Sequence, residues 1–500
     1  MTADTAPWRP LSARSVLAAT LLLAVAIGVP ALVTTVVLAV FWSVLGGLAV
    51  AAGGVLLVAA LTGGEWVRVR RTRYRLTAER LELRAGLLSE TLRSVPRDRI
   101  RSVDVSADIV SRLLGVRTVT VGTGDGGGAD AGLPLRSLDA PGAEELRRVL
   151  LDRGAAPAGA APGEGAIARL DARWFGYAPL AEWAPLLGLG VYGGLYSVLT
   201  WFGEERAGRG AAAVDDLARP HLVVAVPAAL LVVLLTGMVA ALLGTVEAWW
   251  GYRLDREGDG SLRLRRGLFT TTSISLEQAR LRGVELCEPL PARWFRGARL
   301  RAIATGLGTA GDDRQQVARD ALGQALALAV AHRVAAGVLL AQRSPFAAAP
   351  LRAHPAAARR RRLSRAVTAA VVTAAATAAA VVAVPALPAW AWLAPVAVLA
   401  GALPWAHAAY RALGHALTGE YLLVRSGGLF RRTAAVRRDG VIGWRITRSP
   451  FQRRAGLATV GATTAAGAGV YRAADVDLAT GLAFADDAVP GLLSPFLIRR

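Results

Sequence analysis

The sequence predicts a multi-pass α-helical membrane protein in which six transmembrane helices form three hairpins, each followed by a β-rich (α+β) domain. The first observation is an apolar run with no ionisable side chain between Arg14 and Glu65. Its length of about 50 residues exceeds what one helix needs to cross a hydrocarbon core of about 30 Å, so two spans are expected. The other two observations are period-two alternation in the polar segments and the threefold recurrence of the whole arrangement.

Composition agrees with this class. The mean hydropathy is +0.41, and 54% of the residues are apolar, which is typical of membrane proteins. The formal net charge is +21, and no lysine occurs in the chain. We attribute the arginine excess to positive loops beside the spans rather than to nucleic-acid binding. The single cysteine, Cys287, excludes an intrachain disulfide and fits cytoplasmic domains.

The hydropathy pattern divides the chain into alternating membrane and polar parts. The predicted parts are a leader and first hairpin (1–64), a first β-rich domain (65–153), a linker (154–178), a second hairpin (179–247), a second domain (248–341), a basic linker (342–365), a third hairpin (366–411) and a third domain (412–500). The first apolar segment continues into a second without a clear cleavage site, so we expect it to be retained. The first hairpin is expected to turn near Pro30, Thr34 and Thr35, although periodicity does not locate a turn in a uniformly apolar run.

The first polar segment predicts antiparallel strands. From Tyr74 onward, apolar and polar residues alternate, with Leu81 and Leu83 on one face. A helical turn is expected from Ile109 to Gly115, a strand over 116–122, and an amphipathic helix over 141–153, whose acidic residues precede its basic ones. The Ala-, Gly- and Pro-rich residues 154–168 are expected to form a flexible linker.

The polar segments repeat one another. Tyr74-Arg75-Leu76 recurs as Tyr252-Arg253-Leu254, and Gly86-Leu87-Leu88 recurs as Gly267-Leu268-Phe269 and again as Gly428-Leu429-Phe430. The chain is therefore predicted to hold three copies of one module. In the second copy, residues 314–340 are strongly apolar, but His332 and Arg333 lie in their middle. We expect a buried or surface-lying helix there rather than a seventh span.

Six spans in pairs would place every polar domain and both termini on one side of the membrane. The arginine-rich margins at 68–73 and 359–365, together with Arg253, indicate that this side is the cytoplasmic side of the plasma membrane. The loop over 203–220 has a net charge of −1, from three arginines against four acidic residues, and is expected outside.

Composition also excludes several catalytic devices. Without lysine there is neither a P-loop lysine nor a Schiff-base lysine, and the five histidines are scattered with no HExxH motif. We therefore predict no enzyme activity, no catalytic residue, no cofactor and no metal. Within the spans, His407 is the single ionisable candidate, and a hydrogen-bonded structural role is favoured over a proton relay.

Two further patterns have competing interpretations. Gly188, Gly190 and Gly193 match GxGxxG, but they fall within a predicted span, so the match is a coincidence; Gly190 and Gly194 could instead permit close helix approach, or simply face lipid. Tyr421, Trp444 and Phe451 lie among arginines, and we interpret them as core or sheet-face residues rather than nucleic-acid contacts.

The densest basic cluster precedes the third hairpin. Its members are the candidate anionic-lipid contacts Arg359, Arg360, Arg361, Arg362 and Arg365. Near an anionic surface each basic residue gains on the order of 1 kcal/mol. Plain topology anchoring explains the cluster equally well, and both interpretations remain open.

The repeated motifs carry a resemblance. The segments Y-R-L-T-x-x-x-L-x-L-R-x-G-L-L, I-R-S-V and L-L-G-V-x-T-V, and residues 450–460 of the third copy, resemble the bacterial pleckstrin-homology (PH) membrane proteins of the YdbT type. The resemblance covers essentially the whole chain. It implies a PH-like fold in each polar segment, namely a curved antiparallel sheet closed by a C-terminal helix, with 141–153 as that helix in the first copy. It transfers no functional residue.

The family resemblance also implies a function. The favoured hypothesis is a non-enzymatic, membrane-anchored scaffold with three PH-like domains, connected with envelope stress or with resistance to membrane-active peptides. Its expected partners are membrane lipids, other proteins or a second copy of the chain, and not nucleic acid. The alternative is a transporter or an accessory subunit of a membrane export system. A weaker third option, a lipid-modifying enzyme, would require a cluster of polar residues at the cytoplasmic ends of the spans.

Overall fold

The protein is described by a computed structural model that covers residues 6–41, 43–86, 90–100, 102–122, 132–151, 165–181, 184–201, 222–258, 260–305, 320–348, 350–384, 387–493 and 495. The chain divides into two compact units. Unit 1 comprises residues 1–169, 247–280 and 305–319, and unit 2 comprises residues 170–246, 281–304 and 320–500. The boundary at residue 280 falls inside the second polar domain, so each unit contains half of that domain.

The first repeat has two long apolar helical segments followed by strands and a closing helix. Its elements are β1 (Arg9–Pro10), α1 (Arg14–Leu23), α2 (Val29–Phe41), α3 (Val44–Arg71), β2 (Arg73–Leu76), β3 (Arg80–Ala85), β4 (Thr91–Pro96), β5 (Ser102–Ala107), α4 (Ile109–Leu113), β6 (Val116–Gly122), β7 (Gly132–Asp139) and α5 (Ala140–Leu151). The predicted turn, strand and amphipathic helix appear as α4, β6 and α5. The glycine-rich residues 123–131 lie outside the described residues.

The predicted turn near Pro30 is wrong. A π-helical segment, Ala24–Gly28, joins α1 to α2, and the turn lies between Phe41 and Val44, where the Ser43 hydroxyl accepts a hydrogen bond from the Gly46 N–H at 3.3 Å. Pro30 has no backbone N–H, so it cannot donate a hydrogen bond to the carbonyl group one turn earlier in the helix. In an apolar surrounding, an unpaired backbone carbonyl is costly. The wider π turn immediately before the proline keeps the helix continuous.

The second and third repeats follow the same order. The second contains β8 (Gly165–Arg169), α6 (Ala178–Ala181), α7 (Ala184–Trp201), α8 (Leu222–Trp249), β9 (Arg253–Arg256), β10 (Leu262–Arg266), β11 (Thr271–Leu276), β12 (Leu281–Pro289), α9 (Leu290–Trp294), β13 (Gly297–Ala304), β14 (Leu326–Ala327) and α10 (Leu328–Leu339). The third contains α11 (Pro345–Ala348), α12 (Ala356–Ala383), α13 (Leu393–Arg411), β15 (Gly414–Thr418), β16 (Tyr421–Ser426), β17 (Phe430–Arg437), β18 (Val441–Thr447), α14 (Pro450–Arg454), β19 (Leu457–Thr464), β20 (Val470–Asp477) and α15 (Leu478–Ala488).

Unit 1 contains two antiparallel sheets. One has the order β1-β2-β3-β4 and the other β7-β6-β5-β11-β10-β9-β8. In the second sheet, β5 of the first repeat pairs with β11 of the second, with Ser102 opposite Leu276 and Ala107 opposite Thr271. The predicted alternation is present, because Leu81 and Leu83 are buried in a core that α5 covers. Two repeats thus share one continuous sheet within this unit.

Unit 2 is built in the same way. Its sheets have the orders β14-β13-β12-β17-β16-β15 and β18-β19-β20, and β12 of the second repeat pairs with β17 of the third. Helix α10 packs on β12 and β13 with a buried apolar face that includes Val334 and Val338. This helix is the buried helix predicted within 314–340, and its twelve residues are too few to span a membrane.

Within the described residues, five helical stretches are long and apolar enough to cross a membrane. They are Arg14–Val40, Val44–Arg71, Val224–Trp249, Ala356–Ala383 and Ala389–Arg411. The remaining predicted span, the third in sequence order, corresponds to α7, which is not among the five, so the six-span topology remains a prediction. The loop 203–220 lies outside the described residues.

Two predicted boundaries differ in the structure. Residues 165–169, assigned to the flexible linker, form β8, which pairs with the edge of β9 and satisfies its backbone groups. Helix α12 starts at Ala356, well before the span start predicted at Ala366. The arginine cluster therefore lies on the helix and not in a linker.

Helices α7 and α8 approach closely at Gly188. A Cβ atom placed there would overlap the carbonyl oxygen of Val233, whereas Gly190 and Gly194 have open space at the same position. Of the two interpretations left open for Gly190 and Gly194, close helix approach is therefore not supported, and the close approach on this helix occurs at Gly188.

We expect Gly188→Ala to lower the thermal denaturation midpoint of the detergent-solubilised protein, because overpacking typically costs about 1–3 kcal/mol. Gly190→Ala is the matched control and should leave the midpoint nearly unchanged. Equal effects of the two substitutions, measured by the loss of monodisperse protein on heating, would contradict the contact.

Two buried histidines meet beside the start of α12. The Nδ1 atom of His415 on β15 lies 3.2 Å from the Nε2 atom of His354, and the Phe484 ring of α15 lies 4.7 Å from the His415 ring, between centroids. Burial lowers the pKa of both imidazoles, and the neighbouring His354 and Arg352 help to lower the pKa of His415 to about 4. Both rings are therefore neutral at pH 7.

This pair predicts acid sensitivity. Because the pKa of His415 is below its unfolded value of 6.5, its stabilising effect is complete above pH 6.5 and is lost as the pH falls towards 4. At about 1.4 kcal/mol per pKa unit, the loss is on the order of 3 kcal/mol. We expect the thermal midpoint to fall between pH 7 and 4.5 and to fall less in the double variant His354→Gln, His415→Gln. Parallel pH profiles would contradict this.

Candidate membrane-interface site

The five predicted arginines lie in the first turns of α12, but they do not form one surface. Arg359, Arg360 and Arg365 are exposed, whereas Arg361 and Arg362 are half-buried against the third domain. The predicted cluster therefore separates into an exposed set and a packed pair.

The packed pair binds a buried carboxylate. Arg361 and Arg362 both donate to Asp475 on β20, and the Gln452 side-chain amide donates to the same carboxylate at 2.9 Å. Arg361 also approaches the Ser449 hydroxyl, which caps α14, at 3.4 Å. These contacts tie the beginning of α12 to the domain that follows it. Local sequence patterning does not predict them, because Asp475 lies more than a hundred residues away from the arginines.

The exposed set retains its charge for other contacts. Arg359, Arg360 and Arg365 form no ion pair with any residue that the structure describes. These arginines lie at the start of a stretch that can span a membrane. Positive charge at such a position is favourable when anionic headgroups are nearby.

Each repeat also has a short helix with exposed apolar side chains, and sequence reasoning missed this feature. The helices are α4, α9 and α14, and each connects two neighbouring strands of its repeat. Leu113 is 80% exposed, Trp294 71% and Phe451 71%. We call these three side chains, together with Phe295, the apolar tips. The prediction that Phe451 is a core or sheet-face residue is wrong, whereas Tyr421 is buried as expected.

The apolar tips lie beside the hairpins. In unit 1, α4 packs against α1, and Ser111 of α4 lines the same cavity of about 460 Å³ as Leu22 and Leu61 of the first hairpin. In unit 2, α9 packs against α6, and the Tyr177 hydroxyl donates to the Phe295 carbonyl oxygen at 3.3 Å. The third short helix, α14, contacts α12 through Ser449 and Arg361. The same juxtaposition therefore recurs in all three repeats.

Each short helix carries arginine beside its apolar tip. Arg112, Arg293 and Arg453 lie within a residue or two of Leu113, Trp294 and Phe451. Exposed aromatic and aliphatic side chains next to arginine are typical of segments that lie in the membrane interface.

Two further sequence predictions concern metal ligands and His407. Within the described ranges there is no group of three or more His, Cys, Asp or Glu side chains that could hold a metal ion. His407 is exposed on α13 and forms no hydrogen bond with a described residue, so the structural role expected for it is not supported.

Comparison with protein families gives a match along most of the chain. A family model described as "Bacterial PH domain" matches residues 14–154, 210–338 and 365–485. These stretches cover more than half of the chain and correspond to the three predicted repeats. The family resemblance is thereby confirmed, while the narrower likeness to the YdbT type stays a prediction. Comparisons with curated proteins and with solved structures found no match.

The contacts of Asp475 allow a direct test. Asp475 has a φ of +60°, and asparagine also tolerates this region, so Asp475→Asn changes mainly the charge. The variant leaves Arg361 and Arg362 without their counter-charge, and removing one partner of a buried ion pair typically costs about 3–5 kcal/mol. We expect a clear fall in the thermal midpoint. Asp477→Asn, at an exposed position of the same strand, is the control, and an equal effect there would contradict the assignment.

Proposed function

The chain belongs to the bacterial PH domain family, and from this premise we propose that it is a non-enzymatic membrane scaffold. Its three repeats are held at the cytoplasmic face of the plasma membrane, and they present their outer surfaces to protein partners or to a second copy of the chain. Envelope stress or resistance to membrane-active peptides is the physiological setting that we propose.

The observation that carries this proposal is the threefold juxtaposition of an apolar tip, an arginine and the entry of a hairpin. A freely dissolved domain would gain stability by burying Trp294 and Phe451, since burial of a large apolar side chain is worth about 1.5–3 kcal/mol. Insertion of the tips into the membrane interface supplies that burial. The exposed arginines Arg359, Arg360 and Arg365 then lie at headgroup level, where we propose that they contact anionic lipids.

The shared sheets support a scaffolding role. Within unit 1, β11 is fixed to β5, and within unit 2, β17 is fixed to β12. A repeat joined to its neighbour through backbone hydrogen bonds has little freedom to reorient. Within each unit, such pairing suits the display of binding surfaces at fixed spacing, which is what a scaffold requires.

Site-directed spin labelling tests the membrane contact. The single native cysteine, Cys287, is buried and is replaced by Ala, and a nitroxide is then attached at Phe451→Cys in full-length protein in bilayers. Because oxygen is enriched in the apolar part of the bilayer, we expect relaxation of this label to respond more to oxygen than to a water-soluble nickel chelate. The equivalent label at Leu113→Cys should behave in the same way.

The matched control is Ala483→Cys, which is exposed on α15. Its label should respond mainly to the nickel chelate. The same cysteine reports orientation, because an impermeant maleimide should modify it in inside-out vesicles and not in right-side-out cells. A water-like response at both Phe451→Cys and Leu113→Cys would refute tip insertion, and modification in intact cells would refute the cytoplasmic placement.

A further inference from the structure

A polar pocket of about 320 Å³ lies in unit 1, where the first repeat meets the first half of the second. Residues on α4 and β6 contribute from the first repeat, and residues on β10 and β11 contribute from the second. Five arginines line the pocket: Arg112, Arg117, Arg263, Arg265 and Arg266. Glu144 is the carboxylate among the lining residues. The concentration of positive charge in a concave site sets this pocket apart from an ordinary solvated surface.

The carboxylate in the pocket is already fully engaged. Arg263 pairs with Glu144 at 3.0 Å and with Glu257 at 2.9 Å, and Arg147 pairs with the same two carboxylates at 2.9 Å. We call these four side chains the junction network. Two arginines and two glutamates balance in charge, so the network leaves nothing to neutralise the other arginines of the pocket.

Three arginines of the pocket have no ion-pair partner of their own among the described residues. Arg112, Arg117 and Arg265 have no ion pair with any carboxylate in the described part of the chain, and Arg112 donates to the Leu268 carbonyl oxygen at 3.2 Å. Burial and the nearby positive charge of Arg263 lower the pKa of Arg265. An anion in the pocket would relieve this repulsion.

The remaining groups suit an oxyanion. Hydroxyl side chains of Thr271, Thr272 and Ser273 line the pocket next to the arginines. Guanidinium groups match phosphate oxygens in a two-pronged geometry. The Thr271 hydroxyl already donates to the Ala107 carbonyl oxygen at 3.2 Å, so Thr272 and Ser273 are the hydroxyls that can add donors. A volume near the lower end of small-ligand sites fits a phosphorylated headgroup or a short polyphosphate.

The pocket adjoins the end of a candidate span. Helix α8 ends at Trp249, the next residues Trp250 and Gly251 line the pocket, and the Arg266 guanidinium stacks over the Trp249 ring at 4.2 Å. On the other wall, Arg112 belongs to α4, which packs against α1. A phosphate at the membrane surface would thus be within reach.

We propose that this pocket binds a phosphate-bearing anion, with Arg112, Arg117 and Arg265 supplying the positive charge. The phosphate belongs either to an anionic phospholipid headgroup or to a soluble phosphate compound. The site lies between two repeats, so it exists only in the fused arrangement.

A lipid-modifying enzyme would require a cluster of polar residues at the end of a span, and this pocket is such a cluster. Its groups nevertheless favour binding over proton transfer. Burial opposes ionisation of Glu144, but hydrogen bonds from Arg263 and Arg147 outweigh it and lower the pKa of this carboxyl. A carboxylate held ionised by two arginines is a poor general acid or base.

The test uses the purified full-length chain in detergent. Dioctanoyl phosphatidylglycerol and dioctanoyl phosphatidylcholine probe the lipid source, and pyrophosphate and glycerol phosphate probe the soluble source, each titrated by calorimetry. We expect saturable binding of phosphatidylglycerol or pyrophosphate. The double variant Arg117→Gln, Arg265→Gln should weaken it about tenfold or more, since two charge-assisted hydrogen-bonding groups are removed.

The control variant is Arg148→Gln, Arg253→Gln, which changes two exposed arginines outside the pocket. It should bind within about twofold of the wild-type chain, because neither side chain reaches the pocket. Thermal melting checks folding, and the ligand should raise the midpoint of the wild-type chain and of the control but not that of the pocket variant.

The outcomes separate clearly. Binding of phosphatidylglycerol without pyrophosphate or glycerol phosphate identifies a lipid headgroup, and binding of the soluble probes identifies a soluble phosphate. If no probe binds saturably, if phosphatidylcholine binds as tightly as phosphatidylglycerol, or if pocket and control variants bind alike, the proposal is overturned. These measurements do not depend on insertion of the apolar tips, so the proposed function and the pocket can fail separately.

Discussion

Backbone pairing between successive repeats is the interaction on which the rest of the structure depends. A strand at the edge of a sheet leaves a row of N–H and C=O groups unpaired, and such an edge must be covered or joined. Here β5 joins β11, and β12 joins β17. The second repeat is consequently divided between the two compact units. The positions of the hairpins and of the short helices follow, because each is attached to a strand whose neighbours are fixed.

The junction network stabilises the first of these strand pairings, between β5 and β11. Arg147 on α5 and Arg263 on β10 are both nearly inaccessible to solvent, and each pairs with Glu144 and Glu257. Removing one partner of a buried ion pair typically costs about 3–5 kcal/mol, so both arginines depend on these carboxylates. The network therefore adds ion pairs across the joint between β5 and β11. Because Glu144 and Glu257 are paired within the network, the pocket beside it keeps a net positive charge.

Much of the fold was accessible from the sequence, because burial patterns are local. The apolar runs predicted the long helices, and the alternation around Leu81 and Leu83 predicted the strands of the first domain. The pairing between repeats was not predictable, since alternation sets which face is buried and not which strand lies alongside. The candidate site was only partly foreseen. The arginine cluster was evident, but its division into exposed and packed arginines depends on Asp475, a buried partner that is distant in sequence. The exposure of Phe451 was not evident, because phenylalanine is a residue type usually found in cores.

Two strands equivalent to the joined ones are edge strands in the part of the chain that the structure describes. Strands β4 and β18 are the counterparts of the paired strands, but they lie at the ends of their sheets, with Leu92 and Ile442 exposed. At the joints, the corresponding central position sets an acidic residue opposite an apolar one, as in Asp104 with Ile274 and Glu285 with Ala434. Extending that register to β18 of one copy and β4 of another would place Arg445 opposite Arg93. Like charges directly opposite each other destabilise a strand pair, and charged edge residues are a common protection against unwanted pairing. The same geometry that fuses the repeats within the chain therefore disfavours end-to-end fusion between chains, and a strand added at either edge would have to bring a complementary acidic residue.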